Sequence, residues 1–166
     1  MNDATPFPST PEDEAEALFA WLRWGNDAVC PHCGERAAYR LNMSGLRRKR
    51  YKCRRCRQQF SVTKGTILEG SKLPPAIWMR IARMLCARSE PINAGDLKRE
   101  LGIAHDSAQN ALDRLRYAMK RPPFWRILDA TGLPPAKRAD APRPFFPGYD
   151  VETILSALLN TPPPNA

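Results

Sequence analysis

Residues 53–66, CRRCRQQFSVTKGT, place two cysteines, Arg54, Arg55, Arg57 and Lys64 beside a Phe-Ser-Val-Thr run. Three readings are open for such a stretch: a metal-binding knuckle, a redox pair, or a basic surface that happens to contain cysteines. The wider spacing separates them. A second pair, Cys30-Pro-His-Cys33, precedes Cys53-Arg-Arg-Cys56 with 19 residues between the pairs. This falls in the range of a four-cysteine zinc site. Two residues between cysteines let one tight turn aim both sulfurs at a point, and two such turns complete a tetrahedron around Zn²⁺. Cys30, Cys33, Cys53 and Cys56 are therefore the candidate ligands of one structural zinc ion. A thioredoxin-like redox pair needs a single Cys-x-x-Cys beside a βαβ pattern, whereas this chain has two pairs in a strand-poor context. His32 lies between two better-placed ligands and reads as a turn residue. Cys86, in an apolar helical stretch, reads as a small hydrophobe.

Between the pairs, AAYRLNMSGLRRKRYKC (37–53) reads as two short strands around an Asn42–Gly45 turn, with Tyr39, Leu41, Leu46 and Tyr51 available for packing. The same ribbon carries Arg47, Arg48, Lys49, Arg50, Lys52, Arg54, Arg55 and Arg57. Strand alternation should send these cations to both faces, while the turns gather several along one edge. Such an edge can track phosphates without reading sequence.

Charge and proline are unevenly spread through the 166 residues. Residues 25–72 hold twelve bases and three acids, which equals the net charge of +9 for the whole chain, whereas residues 1–24 hold one base and five acids. That concentration favours a phosphate backbone or an anionic surface as partner over general solubility. Ten of the 17 prolines lie from Pro122 onward, so the globular part is expected to end near residue 121. No secretory signal or membrane-spanning run is evident, and a reducing cytoplasm, with nucleoid association, is the expected setting.

Downstream, Ile77, Trp78, Ile81, Met84 and Leu85 recur at helical spacing after two prolines. Asn93 with Asp96 three residues on resembles a capping box opening a second helix, and Gly102 stops it. A third helix places Ala108, Ala111, Leu112, Leu115 and Met119 on one face. Three helices with a glycine-containing turn before the last describe a helix-turn-helix-like module. In that arrangement His105, Ser107, Gln109 and Asn110 face base edges, and Arg114 and Arg116 meet phosphates. Nearer the N-terminus, Glu12, Asp13, Glu14 and Glu16 before Leu18, Phe19, Trp21 and Leu22 read as a helix with acids at its positive end.

The stretches LRWGNDAVCPHCG, YKCRRCRQQFSVTKGTILEGSKLPPAIW and LGIAHDSAQNALDRLRYAM resemble the N-terminal portion of the zinc-ribbon transposases of insertion sequences, the ISXO-like group, over about residues 15–121. The resemblance implies that the four cysteines hold zinc, that a helix packs against the ribbon, and that ribbon and following helices bind the element's terminal DNA. In that group a separate DDE domain of ribonuclease-H-like fold cuts and joins strands. Two departures stand out. Where the group's third helix usually begins with a Ser cap and carries a basic residue followed by Thr-Ala-Trp, this chain reads Ala104, Asp106 and Ser107-Ala108-Gln109. After Arg121 the acids are Asp129, Asp140, Asp150 and Glu152, and none lies in a matching motif. No catalytic residue is carried over, and no enzymatic activity is expected of this chain.

The expected fold class is α+β and mainly helical: an acidic segment and helix (1–24), a zinc ribbon (25–72), a helix-turn-helix-like module (73–121), a proline-rich linker (122–149) and a short amphipathic helix (150–166). Phe124, Trp125 and Leu128 would extend or cover the helical core. In the last helix, Val151, Ile154, Leu155, Leu158 and Leu159 form a stripe capped by Asp150, too short to persist alone. It must dock either on the body or, through 150–160, on a protein partner. The expected function is zinc-dependent binding of double-stranded DNA, as a transcriptional regulator or DNA-bound adaptor. A truncated transposase relic that binds element ends is the alternative, as is a ribbon adaptor for protein or RNA.

Overall fold

In the computed structural model, residues 10–41, 50–124, 126, 144 and 146–164 are described. The Asn42–Gly45 turn, Leu46, Trp125, Leu128, most of the proline-rich linker, and the cations Arg47, Arg48 and Lys49 lie outside them. The described elements run α1 (Pro11–Trp24), β1 (Ala38–Leu41), β2 (Arg50–Cys53), β3 (Gln59–Phe60), α2 (Pro75–Ala87), α3 (Ala94–Leu101), α4 (His105–Met119) and α5 (Val151–Leu159).

Local chemistry explains the helix ends. Thr10 caps α1 in a full capping box with Asp13, and Pro11 occupies the first turn, where its missing N–H is not needed. Asn93 and Asp96 form the same reciprocal pair at α3, and Gly102 ends that helix in the left-handed conformation (φ 67°, ψ 25°). No side chain of its own caps α2, which follows Pro74. Instead the Ala76 N–H donates to Glu12 Oε2 of α1 at 3.1 Å, so one helix supplies the N-terminal acceptor of another. Ala104 leaves the start of α4 without a side-chain cap.

One core unites the helices. α1 packs on α2 and α5, α5 also packs on α2, and α3 packs on α4 with lighter contact to α2. Arg88 of α2 bridges to Asp96 (3.7 Å) and Glu100 of α3, and Arg80 donates to the Glu100 carbonyl at 3.0 Å. The expected face of α4 is the buried one: Ala108, Ala111, Leu112, Leu115 and Met119 all lie inside. Cys86 packs against this core, and burial, followed by the charge of Asp150, pushes its thiol up to about 11.

Two boundaries differ from those expected. The globular part does not end near residue 121, because Phe124, Phe146, Tyr149 and α5 all join the main core. Ile154, Leu155, Ala157, Leu158 and Leu159 are each at most 2% exposed, so the stripe of α5 is spent within the chain rather than left for a partner. The Ile67 N–H donates to the Thr161 carbonyl at 2.7 Å, which ties the end of α5 to the segment after the ribbon. That segment is the second difference. Residues 61–73 belong to the helical core through Val62, Ile67, Leu68 and Leu73, not to the ribbon. Two arginines hold their carbonyls: Arg23 of α1 donates to Val62 and Lys64 (2.6 Å each), and Arg114 of α4 donates to Ile67 (2.5 Å) and Glu69 (2.8 Å). Burial lowers Arg23 to about 10, against the raising influence of Glu69, and it remains charged at neutral pH.

The sheet has the order β1-β2-β3, antiparallel throughout. Its register pairs Tyr39 with Lys52 and Lys52 with Gln59 along one row, and Arg40 with Tyr51 and Tyr51 with Phe60 along the next. Paired residues share a face, so these rows point to opposite sides. The Tyr51–Phe60 row stacks at 5.8 Å and meets Trp24 edge-on at 5.0 and 5.8 Å. Trp24, the last residue of α1, touches both the helical core and the ribbon's small cluster of Cys30, Cys53 and Phe60. The ribbon is thus seated on the body through an aromatic clasp.

Candidate metal centre and nucleic-acid interface

The two knuckles are built alike. In the first, Gly34 N–H donates to the Cys30 carbonyl (2.9 Å) and Cys30 N–H to the Glu35 carbonyl (2.9 Å). In the second, Arg57 N–H donates to the Cys53 carbonyl (3.1 Å) and Cys53 N–H to the Gln58 carbonyl (3.0 Å). The residue after each second cysteine has positive φ, 73° at Gly34 and 64° at Arg57. This repeated turn aims four sulfurs inward.

Cys30 Sγ lies 3.6 Å from Cys56 Sγ, Cys33 Sγ lies 3.6 Å from Cys53 Sγ, and all four sulfurs fall within 4.8 Å of one another. A Zn–S bond of about 2.3 Å places the sulfurs of a tetrahedron about 3.8 Å apart. The donor set and its size therefore fit one zinc ion, and His32 is not among the converging ligands. Cys30 and Cys53 are buried and Cys33 and Cys56 half-buried, as in a closed structural site.

The electrostatics suit a cation. The Cys53 thiol is drawn down to about 7, chiefly by the Cys56 N–H. At Cys56 the Gln58 N–H also favours thiolate, yet burial and the three neighbouring sulfurs push the thiol up to about 12. Four sulfurs this close cannot all carry negative charge on their own. A divalent ion removes that repulsion and displaces the protons.

Beside this centre lies the solvent face of the sheet. By alternation Tyr39, Lys52 and Gln59 face outward together, with Leu41 and Arg50 next along the same side. Tyr39 is 38% exposed, and the Arg54 guanidinium sits 5.4 Å from its ring centroid, within cation–π range. Arg50 and Lys52, two residues apart on β2, therefore share one face, while Arg40 takes the other. Arg55 stands 3.7 Å from Glu35, an exposed pair of little energetic weight. Arg57 is exposed. Sequence reasoning assigned Tyr39 to packing and missed its place on this face. Its pairing with Lys52, which only the strand register reveals, is what places it there.

The six residues expected to serve α4 as a reading helix do not form one surface. At about 100° per residue, His105, Gln109 and Arg116 line one flank of the buried face, and Ser107, Asn110 and Arg114 line the other. The latter three border a cleft of about 140 Å³ whose other wall is Gly70, Ser71, Lys72 and Leu73. Between the flanks, the outermost line carries Asp106 and Asp113. Gln109 donates to Asp113 (3.0 Å), Arg116 pairs with Asp113 (2.7 Å), and Asn110 donates to the Asp106 carbonyl (2.8 Å). One Arg114 nitrogen is committed to the two carbonyls already described, and its pKa is lowered by burial.

Residues 10–59 match the transposase zinc-ribbon domain family of the IS1595 type. The matched span takes in α1, the two knuckles with all four cysteines, β1 and β2. No curated protein and no solved structure matches the chain. Among the described residues no helix is long and apolar enough to cross a membrane.

Proposed function

We propose that this chain is a zinc-dependent duplex-DNA-binding protein, acting as a transcriptional regulator or DNA-bound adaptor without catalysis of its own. One observation carries the reading: Arg50, Lys52 and Arg54 surround an exposed Tyr39 on the outward face of a sheet whose ends are tied by the metal centre. Zinc closes the knuckles, the knuckles hold β1 and β2 in register, and the register presents the cations as a row. A row of fixed cations neutralises successive phosphates and releases their counterions. The match to a transposase zinc-ribbon domain points to nucleic acid as the partner class.

Base reading by α4 has weaker support, because Asp106 and Asp113 occupy its outer line and repel phosphates. A helix-turn-helix use of α4 would engage one flank only, either His105 with Gln109 or Ser107 with Asn110. The family match favours a second reading, in which the chain binds the ends of a mobile element and competes there with an intact enzyme. Retention of fragmented host DNA on zinc-loaded protein, followed by sequencing, separates these readings. Discrete promoter-like sites support the regulator, and enrichment of terminal inverted repeats supports the end-binder. A retained pool that matches the input leaves only non-specific backbone binding, and no retention at all removes duplex DNA as the ligand.

A further inference from the structure

The two knuckles share their hydrogen bonds and backbone shape but differ at one residue. Position 34 is glycine, the residue that adopts positive φ without cost, and position 57 is arginine at φ 64°. Among the described residues, Arg57 is the one non-glycine side chain in that region. A left-handed conformation costs an L-residue roughly 1–2 kcal/mol because Cβ crowds the carbonyl. Space does not explain the difference, since a Cβ built at Gly34 would meet nothing within 4 Å. Position 57 thus keeps a strained residue where its twin keeps a relaxed one.

Nothing within the described fold uses the Arg57 side chain. Arg54 lies over Tyr39 and Arg55 faces Glu35, whereas the Arg57 side chain is exposed and makes no hydrogen bond, ion pair or ring contact with the described residues. Its backbone is nevertheless firmly placed, one residue past a zinc ligand, by the N–H bond to the Cys53 carbonyl. Strain kept at a rigid, solvent-facing position is a sign of function rather than of folding. We propose that Arg57 is a phosphate-anchoring residue, held in a left-handed turn so that the metal centre fixes an exposed guanidinium against the DNA backbone. This rests on the DNA-binding reading above and adds to it a residue whose removal should help the fold while harming the function.

The test uses full-length zinc-loaded protein and a short random-sequence duplex, with affinity followed across salt concentration and thermal unfolding followed in parallel. Arg57→Gly copies the first knuckle, Arg57→Asn removes the cation with a side chain that tolerates positive φ, and Arg57→Lys keeps the charge. Expected are full zinc content in all three and an unfolding temperature in Arg57→Gly at or above that of the parent. Glycine and asparagine variants should bind several-fold more weakly, with the slope of log affinity against log salt reduced by about 0.9. The lysine variant should retain the parent's slope. A lower unfolding temperature in Arg57→Gly overturns the strain argument, and unchanged affinity and slope in both neutral variants overturn the phosphate contact while leaving the proposed function intact. Failure of the parent protein to bind duplex overturns both.

Discussion

The ribbon and the helical body are stabilised by different physics. Among the described residues, the body buries 27 in one cluster, including Phe19, Trp78, Leu97, Leu115 and Leu155, while the ribbon buries Cys30, Cys53 and Phe60. Three buried residues do not offset the ordering of some two dozen, because each ordered residue costs about 1–2 kcal/mol of backbone entropy. The ribbon therefore depends on its metal, and the body does not. Such a division lets a small, nearly coreless surface carry a dense row of cations, with repulsion opposed by zinc rather than by packing.

The largest expected effect breaks that comparison at the ribbon. Chelation, or Cys53→Ser, should remove about 10 kcal/mol of metal-derived stabilisation from the ribbon. Near-ultraviolet signals from Trp24 and Tyr51 should collapse while most of the far-ultraviolet helical signal persists, and elemental analysis should fall from one zinc per chain to none. Next is the converse cut through the body. Leu155→Ala in α5 should cost about 3 kcal/mol in thermal or denaturant unfolding, with zinc content unchanged. An unaffected stability would mean that α5 does not dock within the chain.

Smaller effects sharpen the junction. Arg23→Ala leaves the Val62 and Lys64 carbonyls without their charged donor and should cost about 2 kcal/mol, read as faster hydrogen exchange at residues 62–66. Asn93→Ala removes half of a capping box and should cost about 1 kcal/mol, confined to α3 in the same exchange experiment. The Asn93 N–H holds the Asp96 carboxyl below its usual value. A depressed carboxyl gives stability that is present above its unfolded pKa and lost as pH falls through the folded one. The stability supplied by the Asp96 carboxylate, read as the Asp96→Ala penalty at neutral pH, should therefore shrink below about pH 4.

The sequence made legible whatever depends on local chemistry. Cysteine spacing gave the zinc site because two Cys-x-x-Cys turns carry their geometry with them, and the Asn93–Asp96 pair and Gly102 marked the limits of α3 for the same reason. Long-range relations escaped it. Proline density after residue 121 concealed that Phe146 and Tyr149 join the core, and the stripe of α5 showed that this helix must dock without showing where. Residues 61–72 read as part of the ribbon, yet Arg23 and Arg114, 39 and 47 residues away from the carbonyls they hold, bind them to the body. The outward pairing of Tyr39 with Lys52 needed the strand register, which no single strand displays. On α4 the polar residues were visible, but their division between two flanks with Asp106 and Asp113 in the middle emerged only with the buried face in place.

The most direct measurement is duplex-DNA binding by the full-length protein before and after zinc removal, with helical content recorded on the same samples. The account predicts that binding is lost on chelation, returns on adding zinc, and weakens steeply with salt, while the helical signal barely changes. Binding that survives chelation with an intact helical body would contradict it, and would move the DNA contact from the ribbon to the helices.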